Sequence, residues 1–212
     1  MSFDKRDHPD SWDLYFITDR HLSLKDPVAD TKEALRAGVK VVQYREKTLP
    51  TRAMVEEARE LAALCESAGA ALLVNDRLDV ALASGAHGVH LGRSDMGSED
   101  ARRLMPDGII GVSCNSTGEV ESALKNGADY VGVSPVFYTE TKKDIDNPMG
   151  IEGLRAFRQA FDVHLTAIGG IKLDNLDRVL AAGADSVCAI SATVATEDVA
   201  GSVRAFRDAV RG

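Results

Sequence analysis

The chain has few cysteines, no long apolar run and no excess of positive charge, and each lack removes a class of function. Its three cysteines, Cys65, Cys114 and Cys188, are an odd number with no CxxC pair. That argues against a disulfide framework or a structural zinc site and fits small buried side chains in a reducing compartment. No apolar stretch approaches the ~18 residues that a membrane helix needs. The opening MSFDKRDHPDSW carries charge throughout and has no apolar signal-peptide core, so the expected location is cytoplasmic. Lys and Arg number 25 against 33 Asp and Glu, a net charge of −8; a basic face for nucleic acid is not expected. A negative surface does not attract anions either, so a phosphate site must be built locally from a few cations, a metal ion or backbone N–H groups. No GxGxxG stands at the first turn, where the chain reads Thr18-Asp19-Arg20. No Ser/His/Asp or Cys/His arrangement suggests a covalent nucleophile. His90 and His164 lack metal-spaced partners and read as structural residues.

What is present is a repeated phrase: AGVKVVQ at 37–43, SGAHGVH at 84–90, NGADYVG at 126–132 and AGADSVC at 182–188. Each ends a stretch of helical apolar spacing and leads into a β-rich run, which reads as a helix closed by a left-handed glycine and followed by a buried strand. Recurrence at about 40–55 residues allows two βα units per interval. Eight strand-like runs follow, at 14–18, 39–44, 71–74, 88–91, 109–113, 130–133, 165–168 and 186–190. Helical patterns follow them, clearest at 29–37, 51–68, 119–125, 151–161, 175–181 and 198–211. Eight near-continuous apolar strands alternating with helices predict an α/β fold, a single (β/α)8 TIM barrel. Residues 13–212 form its one domain, with 1–12 an extension that frays or caps the barrel floor.

In such a barrel the active site lies at the carboxyl ends of the strands. Gln43, Arg45 and Lys47 alternate at the end of the second strand and therefore point to one side, where an amide, a guanidinium and an ammonium suit a multi-oxygen anion. Against this stands a plain solvated basic loop. Asp76 ends the third strand and Asp95 follows the fourth; the two carboxylates suit Mg2+ with substrate phosphates, or each simply caps the next helix. The long polar segment after the sixth strand, about 135–150, carries Thr139, Thr141 and Lys142 and suits a lid. Gly169-Gly170 and Ile190-Ser191 end strands seven and eight, the frequent phosphate site of this fold. A substrate carrying a diphosphate is the expectation from these groups.

Taken together, the phrases YFITDR, VVQYREK, LLVNDRLDVALASGAHGVHLGRSDM, IIGVSCNS, GADYVGVSPVF-x-T-x-TK, GIEGLR and AIGGI resemble the thiamin phosphate synthase family, over about Tyr15 to Ser191. The resemblance implies a transferase that joins 4-amino-2-methyl-5-hydroxymethylpyrimidine diphosphate to the ring nitrogen of hydroxyethylthiazole phosphate, releasing pyrophosphate. It implies that Gln43, Tyr44, Arg45, Glu46, Lys47, Asn75, Ser113 and Lys142 bind the pyrimidine diphosphate, with Arg45, Lys47 and Lys142 catalytic. It also implies that Asp76 and Asp95 hold Mg2+ and that Thr139, Thr141, Gly170, Ile190 and Ser191 bind the thiazole phosphate. The implied partners are these two small molecules, with no nucleic acid and no membrane; a homo-oligomer is left open. Two positions depart from the family pattern. Tyr138 stands where proline is usual in the lid, and Asn115 where a histidine is common after the fifth strand. The thiazole tautomerase relative uses that histidine for acid–base work and tends to lose the second aspartate, so Asn115 and Asp95 favour the synthase. A non-catalytic barrel that binds thiamin phosphates is the alternative from another class.

Overall fold

The computed structural model describes residues 11–139 and 148–212. Eight parallel strands run in the order β1 to β8: Tyr15–Ile17, Val41–Tyr44, Ala71–Asn75, Gly88–Leu91, Ile109–Cys114, Tyr130–Val133, His164–Ile168 and Ser186–Cys188. Each pairs in parallel with the next. A parallel bridge between Leu14 and Val187 joins the last strand to the first. The strands thus close into the expected barrel.

Helices α1 to α9 cover the outside: Pro27–Arg36, Thr51–Ser67, Leu78–Ser84, Ser98–Leu104, Thr117–Lys125, Gly150–Ala160, Leu176–Ala181, Ile190–Val194 and Val199–Arg211. Their starts follow local chemistry. Asp26, Ser116 and Asp198 accept from the third helical N–H of α1, α5 and α9, satisfying donors that a helix leaves orphaned. In α2 the buried residues Met54, Ala58, Leu61, Ala62 and Cys65 keep the spacing of one helical face. The run 186–190 differs from its sequence reading: β8 stops at Cys188, and Ile190-Ser191 begins the short helix α8. A brief apolar run fits either state, and periodicity alone does not separate them.

Strand alternation divides the core in two. Phe16, Val42, Tyr44, Leu72, Val74 and Ile110 face the helices, while Tyr15, Ile17, Val41, Ala71, Leu73, Ile109 and Tyr130 fill the barrel interior. Trp12, 2% exposed, belongs to the interior group. Its ring meets Tyr15, Tyr130 and His164 edge-on at centroid distances of 5.6, 5.1 and 5.6 Å and closes the amino-terminal end of the barrel. Below it, the Arg207 guanidinium pairs with Asp13 at 2.9 Å and donates to the Ala37 carbonyl, tying α9 to the chain's entry. Gly38, at φ 90°, makes room for this contact, since a Cβ there would lie 2.2 Å from Arg207 Nη1. With its floor plugged by Trp12, the barrel opens at the carboxyl ends of its strands.

Candidate functional site

A cavity of 370 Å³ occupies that open end, within the ~300–1,000 Å³ usual for small-molecule sites. Gln43, Arg45 and Lys47 all line it, as their alternation requires. Tyr44 and Glu46 do not. The same alternation turns them outward: the Tyr44 hydroxyl donates to Glu57 at 2.7 Å, and Glu46 meets Arg20 at 2.7 Å. The family motif is contiguous in sequence, but a strand presents only every second residue to one side, so these two belong to the supporting structure.

That support is specific. Arg20 bridges Glu46 and Glu57, the latter at 2.5 Å. Glu46 also accepts from the Thr48 N–H, the Thr48 hydroxyl and the Leu49 N–H at 2.6, 2.7 and 3.2 Å, which folds the loop after β2. Burial pushes the Glu46 carboxyl up, but these donors together hold it down at about 2. Arg45 is anchored from the end of β1: its N–H donates to Thr18 Oγ1 at 3.0 Å, and its guanidinium meets Asp19 at 2.5 Å. Asp19 is buried and also accepts from the N–H groups of His21 and Leu22.

Lys47 Nζ reaches Asp76 Oδ2, and Asp76 in turn hydrogen-bonds Asp95. Neither aspartate caps a helix. The cap position of α3 is Arg77 and that of α4 is Gly97. Asp95 instead accepts from the Gly92 N–H at 2.7 Å. Asp76 has φ 63°, the left-handed region that non-glycine residues seldom enter and that often marks functional sites. The Asp95 carboxyl is pushed above its usual range by burial and by its bond to Asp76. Asp76 is opposed by burial, yet the hydrogen bonds from Asp95 and Lys47 hold it below its usual range. Two carboxyls close enough to shift one another offer adjacent oxygen donors, the donor type a hard divalent cation takes. Among the described residues no group of three or more His, Cys, Asp or Glu side chains could hold a metal ion.

Asn75, Ser113, Thr139, Gly170, Ile190 and Ser191 also line the cavity; Thr141 and Lys142 lie outside the described residues. Gly169 and Gly170 have φ 107° and 63°. A Cβ at 170 would fall 2.5 Å from the Tyr138 carbonyl oxygen, and one at 169 would fall 2.8 Å from Pro135 Cβ. The pair therefore serves the backbone turn and the close approach of the chain after β6. Tyr138 is exposed. Asn115 is not part of the cavity wall; its N–H donates to Glu119.

Sequence reasoning passed over several residues of the wall: Tyr15, His90, Tyr130, Thr166 and Lys172. Lys172 lies two residues after Gly170 and adds a cation to the β7 side. Tyr15, His90 and Tyr130 form part of one buried chain of hydrogen bonds. Gln43 Nε2 donates to Tyr15 Oη at 2.9 Å, Tyr15 Oη meets Tyr130 Oη at 2.7 Å, Tyr130 Oη meets His90 Nδ1 at 2.7 Å, and His90 Nε2 meets Ser113 Oγ at 2.9 Å. Burial pushes both phenols up, so both stay neutral.

Comparison with known proteins gives a consistent picture. The family model described as thiamine monophosphate synthase matches residues 14–193. A thiamine-phosphate synthase of Chloroflexus aurantiacus is 47% identical over 201 residues, covering 94% of this chain and 93% of that protein. One from Methanosarcina barkeri is 46% identical over 200 residues, with coverage of 94% and 90%. The solved thiamine phosphate pyrophosphorylase from Pyrococcus furiosus superposes with a TM-score of 0.88 at 40% identity, over 95% of this chain and 96% of the other.

Proposed function

The chain belongs to the thiamine monophosphate synthase family, and from that premise we infer that its cavity joins an aminopyrimidine-methyl diphosphate to the ring nitrogen of a thiazole phosphate, giving thiamin phosphate and pyrophosphate. The observation that carries this reading is the pair of cations Arg45 and Lys47 on one side of a cavity, with Lys47 bonded to Asp76 behind the wall that neither Asp76 nor Asp95 lines, while the cavity's other side is the turn at Gly170 and the start of α8. One side suits a leaving diphosphate and the other a retained monophosphate.

The chemistry asks little acid–base work of the protein. An electron-rich aminopyrimidine spreads positive charge, so the C–O bond to diphosphate can break before the C–N bond forms. The protein's part is to stabilise departing negative charge and to hold the second substrate in line. Arg45 and Lys47 supply fixed positive charge. Arg45 is held by Asp19 and Thr18, so little reorganisation is needed when the charge develops. Lys142 is proposed to join them from the lid. Asn75 and Ser113 contact the pyrimidine side, and Thr139, Thr141, Gly170, Ile190 and Ser191 the thiazole phosphate. Asp76 and Asp95 would hold Mg2+, which when bound supplies charge neutralisation for the diphosphate oxygens.

No helix among the described residues is long and apolar enough to cross a membrane, and a cytoplasmic setting, with small molecules as the partners, fits the reading. The test is direct. Purified protein is mixed with both substrates, in Mg2+ and in EDTA, and thiamin phosphate and pyrophosphate are measured. Stoichiometric formation of both in Mg2+ is expected; no product in Mg2+ overturns the proposal.

A further inference from the structure

The buried chain from Gln43 to Ser113 runs through side chains on five strands, β2, β1, β6, β4 and β5 in that order. We propose that it is a one-way hydrogen-bond relay, in which Tyr15 and Tyr130 act as positioning residues that fix which pocket groups donate and which accept, and so select an amino- over an oxo-substituted pyrimidine. The inference rests on the reading of the cavity as a pyrimidine site.

The direction follows from counting protons. A phenol has one proton to donate and can accept. Gln43 spends an amide N–H on Tyr15 Oη. Tyr15 therefore gives its own proton to Tyr130, the next oxygen at 2.7 Å. Tyr130, having accepted, gives its proton to His90 Nδ1. A neutral imidazole that accepts at Nδ1 carries its proton at Nε2, and that proton goes to Ser113 Oγ. The Ser113 hydroxyl is left with its own proton to donate. At the other end the amide is oriented with Oε1 left to accept. Both end residues line the cavity.

The packing leaves the relay no slack. Tyr15 and Tyr130 are 2% and 0% exposed, and Trp12 holds both rings edge-on. A Cβ at Gly111 would lie 2.0 Å from Tyr130 Cζ, and one at Gly132 would lie 2.8 Å from His90 Cε1. Two strand glycines thus make the space in which the Tyr130 and His90 rings meet. Burial keeps both phenols neutral.

The consequence is a pocket with preset polarity, an acceptor at Gln43 and a donor at Ser113. A 4-aminopyrimidine offers the complements: an exocyclic amine that donates and ring nitrogens that only accept. A 4-oxopyrimidine reverses the pattern, with an oxygen that accepts and a ring N–H that donates. Buried polar groups left facing their own kind are costly, and sites of this sort discriminate far better than apolar pockets.

Two measurements test the relay. The first is the His90 tautomer in 15N-histidine-labelled resting protein, assigned by the signal lost in His90→Asn. Protonation at Nε2 alone is expected; protonation at Nδ1 alone, or at both nitrogens, overturns the proposal. The second is calorimetric binding of the 4-amino and 4-oxo pyrimidine diphosphates to the parent protein, Tyr15→Phe and Tyr130→Phe. Each variant keeps its ring and loses one link, and each should narrow the amino-over-oxo ratio of dissociation constants by about tenfold or more. A purely structural role would weaken both ligands alike, and an unchanged ratio in both variants overturns the proposal. The tautomer is read without turnover, so failure of the proposed reaction and failure of this inference are separate results.

Discussion

The Asp19 carboxylate holds the Arg45 guanidinium at 2.5 Å, joining the end of β1 to the end of β2. Arg45 is braced by Asp19 and Thr18, and its brace is testable apart from its charge. Arg45→Ala should cost roughly 2–4 kcal/mol of transition-state stabilisation, the usual range for a preorganised charge contact. Asp19→Asn keeps the cation and loosens it; kcat should fall by about ten- to a hundredfold, since small misplacements are expensive. Steady-state kinetics on both variants, with circular dichroism as a check on folding, reads the two effects separately. Full turnover in Arg45→Ala would remove that residue from the mechanism.

The contact between Asp76 and Asp95 leads to a second expectation. If the pair holds a divalent cation, Mg2+ should bind the resting protein with a 1:1 stoichiometry that titration calorimetry can read. Asp76→Asn and Asp95→Asn should each weaken that binding by about tenfold or more. EDTA should abolish turnover, and added Mg2+ should restore it. Binding unchanged in both variants would place the cation elsewhere.

Glu46 gives a pH prediction with a definite sign. Its carboxyl is held at about 2 in the folded protein against 4.5 for the ordinary group. A depressed folded pKa contributes stability that is fully present above the unfolded value and is lost as pH falls through the folded one. The window is therefore from about 4.5 down to about 2. Glu46→Gln lacks this titration, so its urea-unfolding free energy should lie below the parent's at neutral pH. The gap should close steadily across that window. A gap that stays constant with pH would mean that the Arg20 and Thr48 contacts do not depend on the charge.

Much of this arrangement is legible in the sequence where it depends on local periodicity. The glycines at 38, 85, 127 and 183 lie at φ 90°, 75°, 86° and 97°, as the helix-then-strand phrase predicts. Gln43, Arg45 and Lys47 share a side because a strand repeats every two residues. What is hidden is long-range. Tyr15 and Tyr130 are 115 positions apart, and each looks like any apolar residue of a buried strand until the barrel closes. His90 reads as structural because its partners are a phenol and a hydroxyl, not spaced ligands. A signal does exist, in the glycines at 111 and 132 beside the valines and isoleucines of their strands, since glycine inside a strand often marks a close approach. What it makes room for is set only by closure. The end of β8 is hidden for a different reason, since the run 186–190 is too short for its period to decide between strand and helix.

Those strand glycines allow a paired test with opposite signs. Gly111→Ala would place a Cβ 2.0 Å from Tyr130 Cζ. The Tyr130 ring is fully buried and wedged against Trp12 and Tyr15, so it has no open space to move into. Overpacking a fixed core usually costs about 1–3 kcal/mol, and the displaced ring should also break its bond to His90. Gly118 is the control. It lies in the first turn of α5, is exposed, and a Cβ there meets nothing within 4 Å. Gly118→Ala should stabilise the fold by about 0.4–1 kcal/mol through the lost freedom of the unfolded chain. Urea unfolding of the two variants beside the parent protein measures both. Equal stability for Gly111→Ala would mean that the barrel interior yields where the packing of Tyr130, Trp12 and Tyr15 leaves it no room.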